Sequence, residues 1–198
     1  MKIIHYASLI EGYLDEYLVK EILNGIASGL NLDVVMNRHS KLVQFKGGSK
    51  NKSKVLSGIT NLSQTIALEN RSSEHPILFI AGIDSDKDDF NSLITEMETK
   101  IHQIAKQSTI IFVAVRDVET WVEYLQKPDS IAGSLDKGNS KSHVYPDGKS
   151  NEENAKNVIR ELRTRKSFHF DSINQLCTQS PSFSRFHQQI ITYLQNIS

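Results

Sequence analysis

The chain has 198 residues, of which 38% are hydrophobic, and its 23 basic and 23 acidic side chains cancel to no net charge. This length suits one domain with a sizeable core. The charge balance excludes a generally cationic nucleic-acid coat but leaves a local basic surface open. Cys177 is the only cysteine, so no internal disulfide forms. No apolar run reaches the ~18 residues of a membrane span, and we expect a cytoplasmic protein without a signal leader.

Apolar runs and helical repeats alternate along the first 125 residues. Runs bounded by turn residues are typical of buried strands in a parallel sheet, and we predict strands at 3–10, 32–36, 74–84 and 109–115. Apolar residues at helical spacing predict amphipathic helices between and after these strands, at 14–26, 52–67, 90–104 and 118–125. This alternation predicts an α/β fold in which helices flank a central, mostly parallel sheet of about four strands.

The regular alternation fades in the last third of the chain. Residues 126–151 are rich in Gly, Ser, Asp, Lys and Pro, and we predict a long surface loop there. A polar helix is expected near 152–165, and a last helix is expected over 183–197, after a turn at Ser180-Pro181. We therefore expect residues 126–198 to form a loop and a helical C-terminal extension that packs on the same domain.

Carboxylates follow two of the predicted strands directly. Glu11 ends the first apolar run, and Asp84-Ser85-Asp86 ends the third. Open α/β sheets bind their ligands beyond the carboxyl ends of the strands, so we expect these side chains to share one crevice. Crowded carboxylates repel one another unless a positive charge lies among them, and Mg²⁺ (or Mn²⁺) prefers such oxygen ligands. The alternative is that each carboxylate caps a helix or lies in a solvated turn.

This pattern predicts that Glu11, Asp84 and Asp86 are catalytic residues and ligands of a divalent cation that polarises a phosphodiester. Glu119 follows the fourth strand and could face either the same crevice or solvent; we expect the crevice, where Glu119 or the nearby Asp88 would join a second metal. Its neighbour Trp121 is expected in the hydrophobic core rather than stacked on a nucleic-acid base.

A stretch without acidic residues separates Asp33 from Glu69. The basic residues within it are Arg38, Lys41, Lys46, Lys50, Lys52 and Lys54. This density predicts a surface that contacts the phosphate backbone of a nucleic acid beside the acidic crevice, and the alternative is an ordinary solvated loop. Arg116 is expected either to pair with the carboxylates or to meet a substrate phosphate. The predicted nucleic-acid contacts are Arg38, Lys46, Lys50, Lys52 and Arg116.

The acidic motifs carry a family resemblance. Ile10-Glu11-Gly12, followed by Asp15-Glu16 and a helix, and then Ile83-Asp84-Ser85-Asp86 resemble the two motifs of the Toprim fold. Type IA topoisomerases, bacterial primases, small ribosomal-RNA maturases and OLD-family nucleases share that fold. The resemblance covers roughly residues 1–125, which would form a Toprim-like catalytic domain. Glu119-Thr120-Trp121 and the closing helix resemble small stand-alone Toprim-like proteins on the OLD side of the superfamily.

The resemblance implies roles for single residues. It implies that Glu11 assists proton transfer or helps to hold metal, that Asp84 and Asp86 bind Mg²⁺, and that Asp15 is an extra ligand as in OLD nucleases. The chain departs from OLD nucleases in lacking a phosphate loop, because 47–53 has no second glycine at the required spacing. It is also too short for the large tyrosine-bearing domain of a topoisomerase.

Together these features predict a Mg²⁺-dependent nuclease that hydrolyses nucleic-acid phosphodiesters through a metal-activated water. DNA is the expected substrate before RNA. The resemblance implies a place in anti-phage defence or DNA processing with a separate ABC-type ATPase or sensor protein. Two alternatives stay open, a non-catalytic Toprim-fold binding module or adaptor and a small-molecule phosphohydrolase. The sequence leaves open whether cleavage is internal or terminal and how many subunits assemble.

Overall fold

A four-stranded parallel sheet forms the centre of the structure, a computed structural model that describes residues 2–39, 51–128, 144–145 and 151–197. The strand order is β2-β1-β3-β4, and neighbouring strands all run parallel. The strands are β1 (Lys2–Ile10), β2 (Val34–Arg38), β3 (Ile77–Asp84) and β4 (Thr109–Ala114). Every residue of β3 is buried, as its continuous apolar run predicts for a strand covered on both faces.

Seven α-helices and one 3₁₀ helix are assigned within the described residues. The helices are α1 (Tyr13–Gly29), α2 (Lys52–Glu69), α3 (Phe90–Lys100), the 3₁₀ helix (Gln103–Ser108), α4 (Glu119–Gln126), α5 (Glu152–Thr164), α6 (Phe170–Gln179) and α7 (Pro181–Ile197). The predicted α/β class, the parallel four-stranded sheet with flanking helices and the C-terminal helical part are confirmed. The arrangement is Rossmann-like.

Two hydrophobic clusters lie on opposite faces of the sheet. Side chains of β1 lie on both faces of the sheet, since Ile4 and Tyr6 belong to one cluster and Ala7 and Leu9 to the other. The larger cluster joins the sheet to α1 and α4–α7, and the smaller joins it to α2 and α3. The C-terminal helices therefore share a core with the sheet, while the boundary at residue 125 stays a prediction.

Close packing accounts for the glycine at position 82 and for the burial of Trp121. A Cβ atom on Gly82 of β3 would lie 2.0 Å from Cζ of Phe112, so the ring on β4 occupies the space that a side chain would need. Trp121 is 1% exposed and donates its indole N–H to Ser180 Oγ at 3.2 Å. Its expected place in the core is confirmed.

The structure corrects two of the predicted elements and adds a third. Strand β2 lies two residues later than expected, at Val34–Arg38. Helix α3 ends at Lys100 because Ile101 takes an extended backbone, and Ile104 is 50% exposed in the 3₁₀ helix. Helix α6 was not predicted, although Phe170, Ile173, Leu176 and Cys177 recur at helical spacing along it.

Most of the predicted surface loop at 126–151 lies outside the described residues. In the described part of the chain, none of the helices combines the length and the apolar character that crossing a bilayer requires.

Candidate functional site

Glu11 and Asp84 meet at the carboxyl edge of the sheet. Strands β1 and β3 are neighbours, and Ile10 is in register with Gly82, so the residues that follow these positions are brought together. Glu11 Oε2 accepts the backbone N–H of Asp84 at 2.9 Å. Asp84 is 9% exposed, and its Oδ1 accepts the backbone N–H of Val118 at 3.2 Å. These two carboxylates thereby connect the ends of β1 and β3 to the start of α4.

Two further carboxylates are buried beside this pair. Asp15 and Glu119 are each 5% exposed and lie in the first turns of α1 and α4, where helix dipoles favour negative charge. Asp15 Oδ2 accepts the backbone N–H of Gly12 at 3.2 Å. Burial raises the pKa of the Asp15 carboxyl to about 7, with the charges of Glu119 and Glu11 adding to the rise and the Gly12 N–H opposing it. Because the charges of Glu119 and Glu11 raise the pKa of Asp15, the three carboxylates belong to one electrostatic cluster.

The carboxylate of Asp86 is engaged elsewhere. Its backbone is left-handed, with φ of 53°, and its side chain is 60% exposed. Lys52 Nζ lies 3.2 Å from Asp86 Oδ2 and 2.7 Å from Asp88 Oδ2, and it donates to the Ser85 carbonyl at 3.1 Å. Burial lowers the pKa of Lys52, but its hydrogen bonds to Asp88 and Asp86 outweigh this and leave the pKa above its usual value.

The loops that follow β3 and β4 are tied to each other by backbone hydrogen bonds. Ser85 N–H donates to the Ala114 carbonyl at 2.8 Å, and Asp86 N–H donates to the Arg116 carbonyl at 3.2 Å. In return, Arg116 N–H donates to Ser85 Oγ at 2.9 Å. Arg116 is also left-handed, with φ of 69°, and its side chain is exposed. Among the described residues no ion pair with Arg116 is found, so the guanidinium extends from a firmly fixed backbone.

The predicted basic surface is only partly described. Arg38 forms an ion pair with Glu16 of α1, and Lys52 is bound to the acidic loop after β3. Lys46 and Lys50 lie outside the described residues. The two described ends of the stretch are thus engaged with carboxylates of the same edge of the sheet, and the phosphate-binding role stays a prediction.

The donor atoms fit a hard divalent cation, whereas their arrangement fits it only in part. Carboxylate oxygens are the ligands that Mg²⁺ prefers, and a cation would offset the burial, and the repulsion from Glu119 and Glu11, that raise the pKa of Asp15. Within the described residues, however, no group of three or more His, Cys, Asp or Glu side chains is placed to hold a metal ion. Asp86, one of the predicted ligands, forms an ion pair with Lys52 instead.

Sequence reasoning missed two residues of this edge. Asp117 is 4% exposed, and its Oδ1 accepts both the backbone N–H of Thr120 at 3.1 Å and the Thr120 hydroxyl at 2.9 Å. Ser85 has no predicted role of its own within the acidic motif, yet its hydroxyl accepts the backbone N–H of Arg116 and orders that loop. An Asp three residues before a Thr at a helix start is a capping signal that would have identified Asp117.

Comparison of the chain with protein-family models, with curated proteins and with solved structures found no match. The Toprim resemblance therefore stays a prediction from the sequence motifs alone.

Proposed function

We propose that this protein is a Toprim-like, Mg²⁺-dependent hydrolase of nucleic-acid phosphodiesters. The observation that carries the proposal is the contact of Glu11 with Asp84 at the carboxyl ends of two adjacent parallel strands, with the buried Asp15 and Glu119 in the first turns of the helices beside them. Such an edge is where α/β sheets bind ligands. Solvated turn residues or simple helix caps would not need burial of Asp15 and Glu119 to 5% exposure.

The residues have distinct tasks in this proposal. Glu11 and Asp84 would hold the cation, and Asp15 and Glu119 would complete its negative surroundings. When bound, the ion would activate a water molecule and neutralise charge on the phosphoryl oxygens. The exposed guanidinium of Arg116 would bind a substrate phosphate, since its backbone is anchored on Ser85 and Asp86.

The test is cleavage of supercoiled plasmid, single-stranded DNA and RNA in Mg²⁺ or Mn²⁺, with a general phosphatase substrate beside them. Asp84→Asn keeps an acceptor for the Val118 N–H but removes the charge. We expect it and Glu11→Gln to lower the rate by at least about 10- to 100-fold, the loss already seen when outer-shell partners of metal ligands are removed. Glu96→Gln, on the exposed side of α3, is the matched control and should retain full activity.

Cleavage that persists in Asp84→Asn and in Glu11→Gln would refute the assignment of the site. Hydrolysis of the phosphatase substrate with no cleavage of nucleic acid would instead support a small-molecule phosphohydrolase.

One observation favours a second candidate function, a non-catalytic binding module. No set of three ligating side chains is assembled within the described residues, and Lys52 already neutralises Asp86. A protein of this kind would be silent with every substrate and would bind Mn²⁺ no better than Glu11→Gln does.

The cellular setting forms part of the proposal. We place the protein in the cytoplasm, since its one cysteine, Cys177, suits a reducing compartment. A separate ABC-type ATPase or sensor partner and a role in defence against foreign DNA follow from the resemblance to OLD-like proteins. Co-purification of the tagged protein from its own cells, with and without added ATP, tests for such a partner.

A further inference from the structure

A cleft of about 980 Å³ lies along β4, the outermost strand on one side of the sheet. It is bounded by the end of the 3₁₀ helix, the start of β4 and one face of α7. The residues of α7 that line it recur at helical spacing and are Arg185, Gln188, Gln189, Thr192, Tyr193 and Asn196. Gln189 anchors this face on the strand through both backbone groups of Ile111. The volume is that of a small-molecule site.

The cleft is separate from the acidic edge of the sheet. Of β4, only Thr109 and Ile110 at its start line the cleft, whereas its last residue, Ala114, accepts the Ser85 N–H beside the acidic motif. Five residue steps along a strand span about 16 Å. A ligand in the cleft would therefore occupy a different place from a substrate of the acidic edge.

The charge of the cleft is entirely positive. Lys106 and Arg185 are the only charged side chains among the described residues that line it. No acidic residue occurs in 99–116 or in 172–198, the stretches that build it, although the whole chain has equal numbers of acids and bases. Lys106 is exposed and makes no ion pair with a described residue. Arg185 contacts Glu98 through one nitrogen at 2.6 Å, which leaves the rest of its guanidinium fork for an anion such as phosphate.

The other lining residues suit the uncharged body of a nucleoside. The amides of Gln107, Gln188 and Asn196 each offer a donor and an acceptor, the combination that base edges require. Ile110 and Ile197 add apolar surface, against which the face of a base can pack. The cleft thus combines cations for a phosphate with neutral groups for a base.

Tyr193 is independent evidence that a polar partner belongs in the cleft. It lines the cleft yet is only 7% exposed, and its buried hydroxyl makes no hydrogen bond to any described residue. Burial raises the pKa of Tyr193 to about 12, so the hydroxyl keeps its proton and can donate it. A buried hydroxyl without a partner costs free energy, and a phenylalanine would avoid that cost.

We propose that this cleft binds a nucleoside monophosphate. Lys106 and Arg185 would bind the phosphate, and the Tyr193 hydroxyl would donate to an acceptor of the ligand. The site goes beyond the proposed hydrolase activity and does not rest on it, because no carboxylate of the acidic edge takes part.

Isothermal titration calorimetry of the purified full chain with AMP, GMP, CMP and UMP tests the site, in EDTA so that no divalent cation takes part. The nucleoside that lacks the phosphate should bind at least about tenfold more weakly, since the charge-assisted hydrogen bonds are lost. Lys106→Met should weaken nucleotide binding about tenfold and leave nucleoside binding unchanged. Lys20→Met is the matched control, because Lys20 is exposed on α1 outside the cleft, and it should bind like wild type.

Tyr193→Phe removes only the hydroxyl. It should weaken nucleotide binding about 2- to 10-fold, as loss of one hydrogen bond does. The free energy of unfolding of the ligand-free variant should equal or exceed that of wild type, because an unpaired buried hydroxyl is gone. A merely structural tyrosine would change stability and leave the affinity for nucleotide unmoved.

The outcomes separate this site from the proposed function. No binding of any of the mononucleotides, or binding that Lys106→Met and Tyr193→Phe both leave unchanged, would overturn the site. Inorganic phosphate that binds as tightly as the best nucleotide, or binding of a DNA or RNA oligonucleotide alone, would overturn the assignment to a mononucleotide. Asp84→Asn should bind the nucleotide like wild type, so loss of cleavage in that variant and loss of binding in Lys106→Met report on different sites.

Discussion

Replacement of Asp15 by Asn should stabilise the cation-free protein at neutral and alkaline pH. Burial raises the pKa of Asp15 from 3.8 in an unperturbed chain to about 7 in the folded protein, a difference that corresponds to roughly 4 kcal/mol. A raised carboxyl pKa means that the folded state binds more protons, so the free energy of unfolding falls as pH rises from about 4 to about 7. Asparagine carries no charge and still accepts the Gly12 N–H.

The expected magnitude follows from this window. In EDTA at pH 8, Asp15→Asn should raise the free energy of unfolding by about 1 to 4 kcal/mol, the upper limit being the full cost of ionising the buried carboxyl. Near pH 4 the difference should approach zero because the native carboxyl is then protonated. The difference between variant and wild type isolates Asp15, since the other groups titrate in both proteins.

Urea unfolding at pH 4 to 8 measures the effect. Asp171→Asn is the control, because Asp171 is exposed in the first turn of α6 and its charge is favourable there. This control should be neutral or should lower the free energy of unfolding slightly. A difference between Asp15→Asn and wild type that does not change with pH would refute the electrostatic cluster. Added Mg²⁺ should stabilise wild type more than Asp15→Asn if the cluster holds the ion.

Two more predictions concern the edges of the sheet. The Gln189 side chain donates to the backbone carbonyl of Ile111 at 2.8 Å and accepts the Ile111 N–H at 3.2 Å. Gln189→Ala should therefore lower the free energy of unfolding, measured in urea, by about 1–3 kcal/mol, and should promote self-association in light scattering. The control Gln188→Ala should do neither. Arg116→Gly should raise the free energy of unfolding by up to about 1 kcal/mol by relieving its left-handed backbone, and Arg116→Ala, which keeps a Cβ, should not. Stabilisation by both Arg116 variants would contradict the strain argument.

The sequence predicts the architecture well because apolar runs and helical repeats are local signals. It also predicts that Glu11 and Asp84 lie near each other, since parallel neighbouring strands end at one edge. The direction of Asp86 could not be predicted, because it depends on a left-handed backbone and on a lysine 34 positions earlier that reaches across from α2. The raised pKa of Asp15 could not be predicted either, since burial at the start of a helix is decided by tertiary packing and not by the motif.

Asp86 and Arg116, the left-handed residues of the loops after β3 and β4, differ in backbone strain. Asp86 tolerates a positive φ comparatively well, because short polar side chains bond to their own backbone. Arg116 has no such help, and a left-handed arginine costs on the order of 1–3 kcal/mol. The bonds from Ser85 and Asp86 hold it in place, so the strain is imposed by the loop that carries the acidic motif. Strain of this kind persists where surrounding structure over-determines it, and here it fixes the backbone from which the exposed Arg116 guanidinium would reach a phosphate in the proposed function.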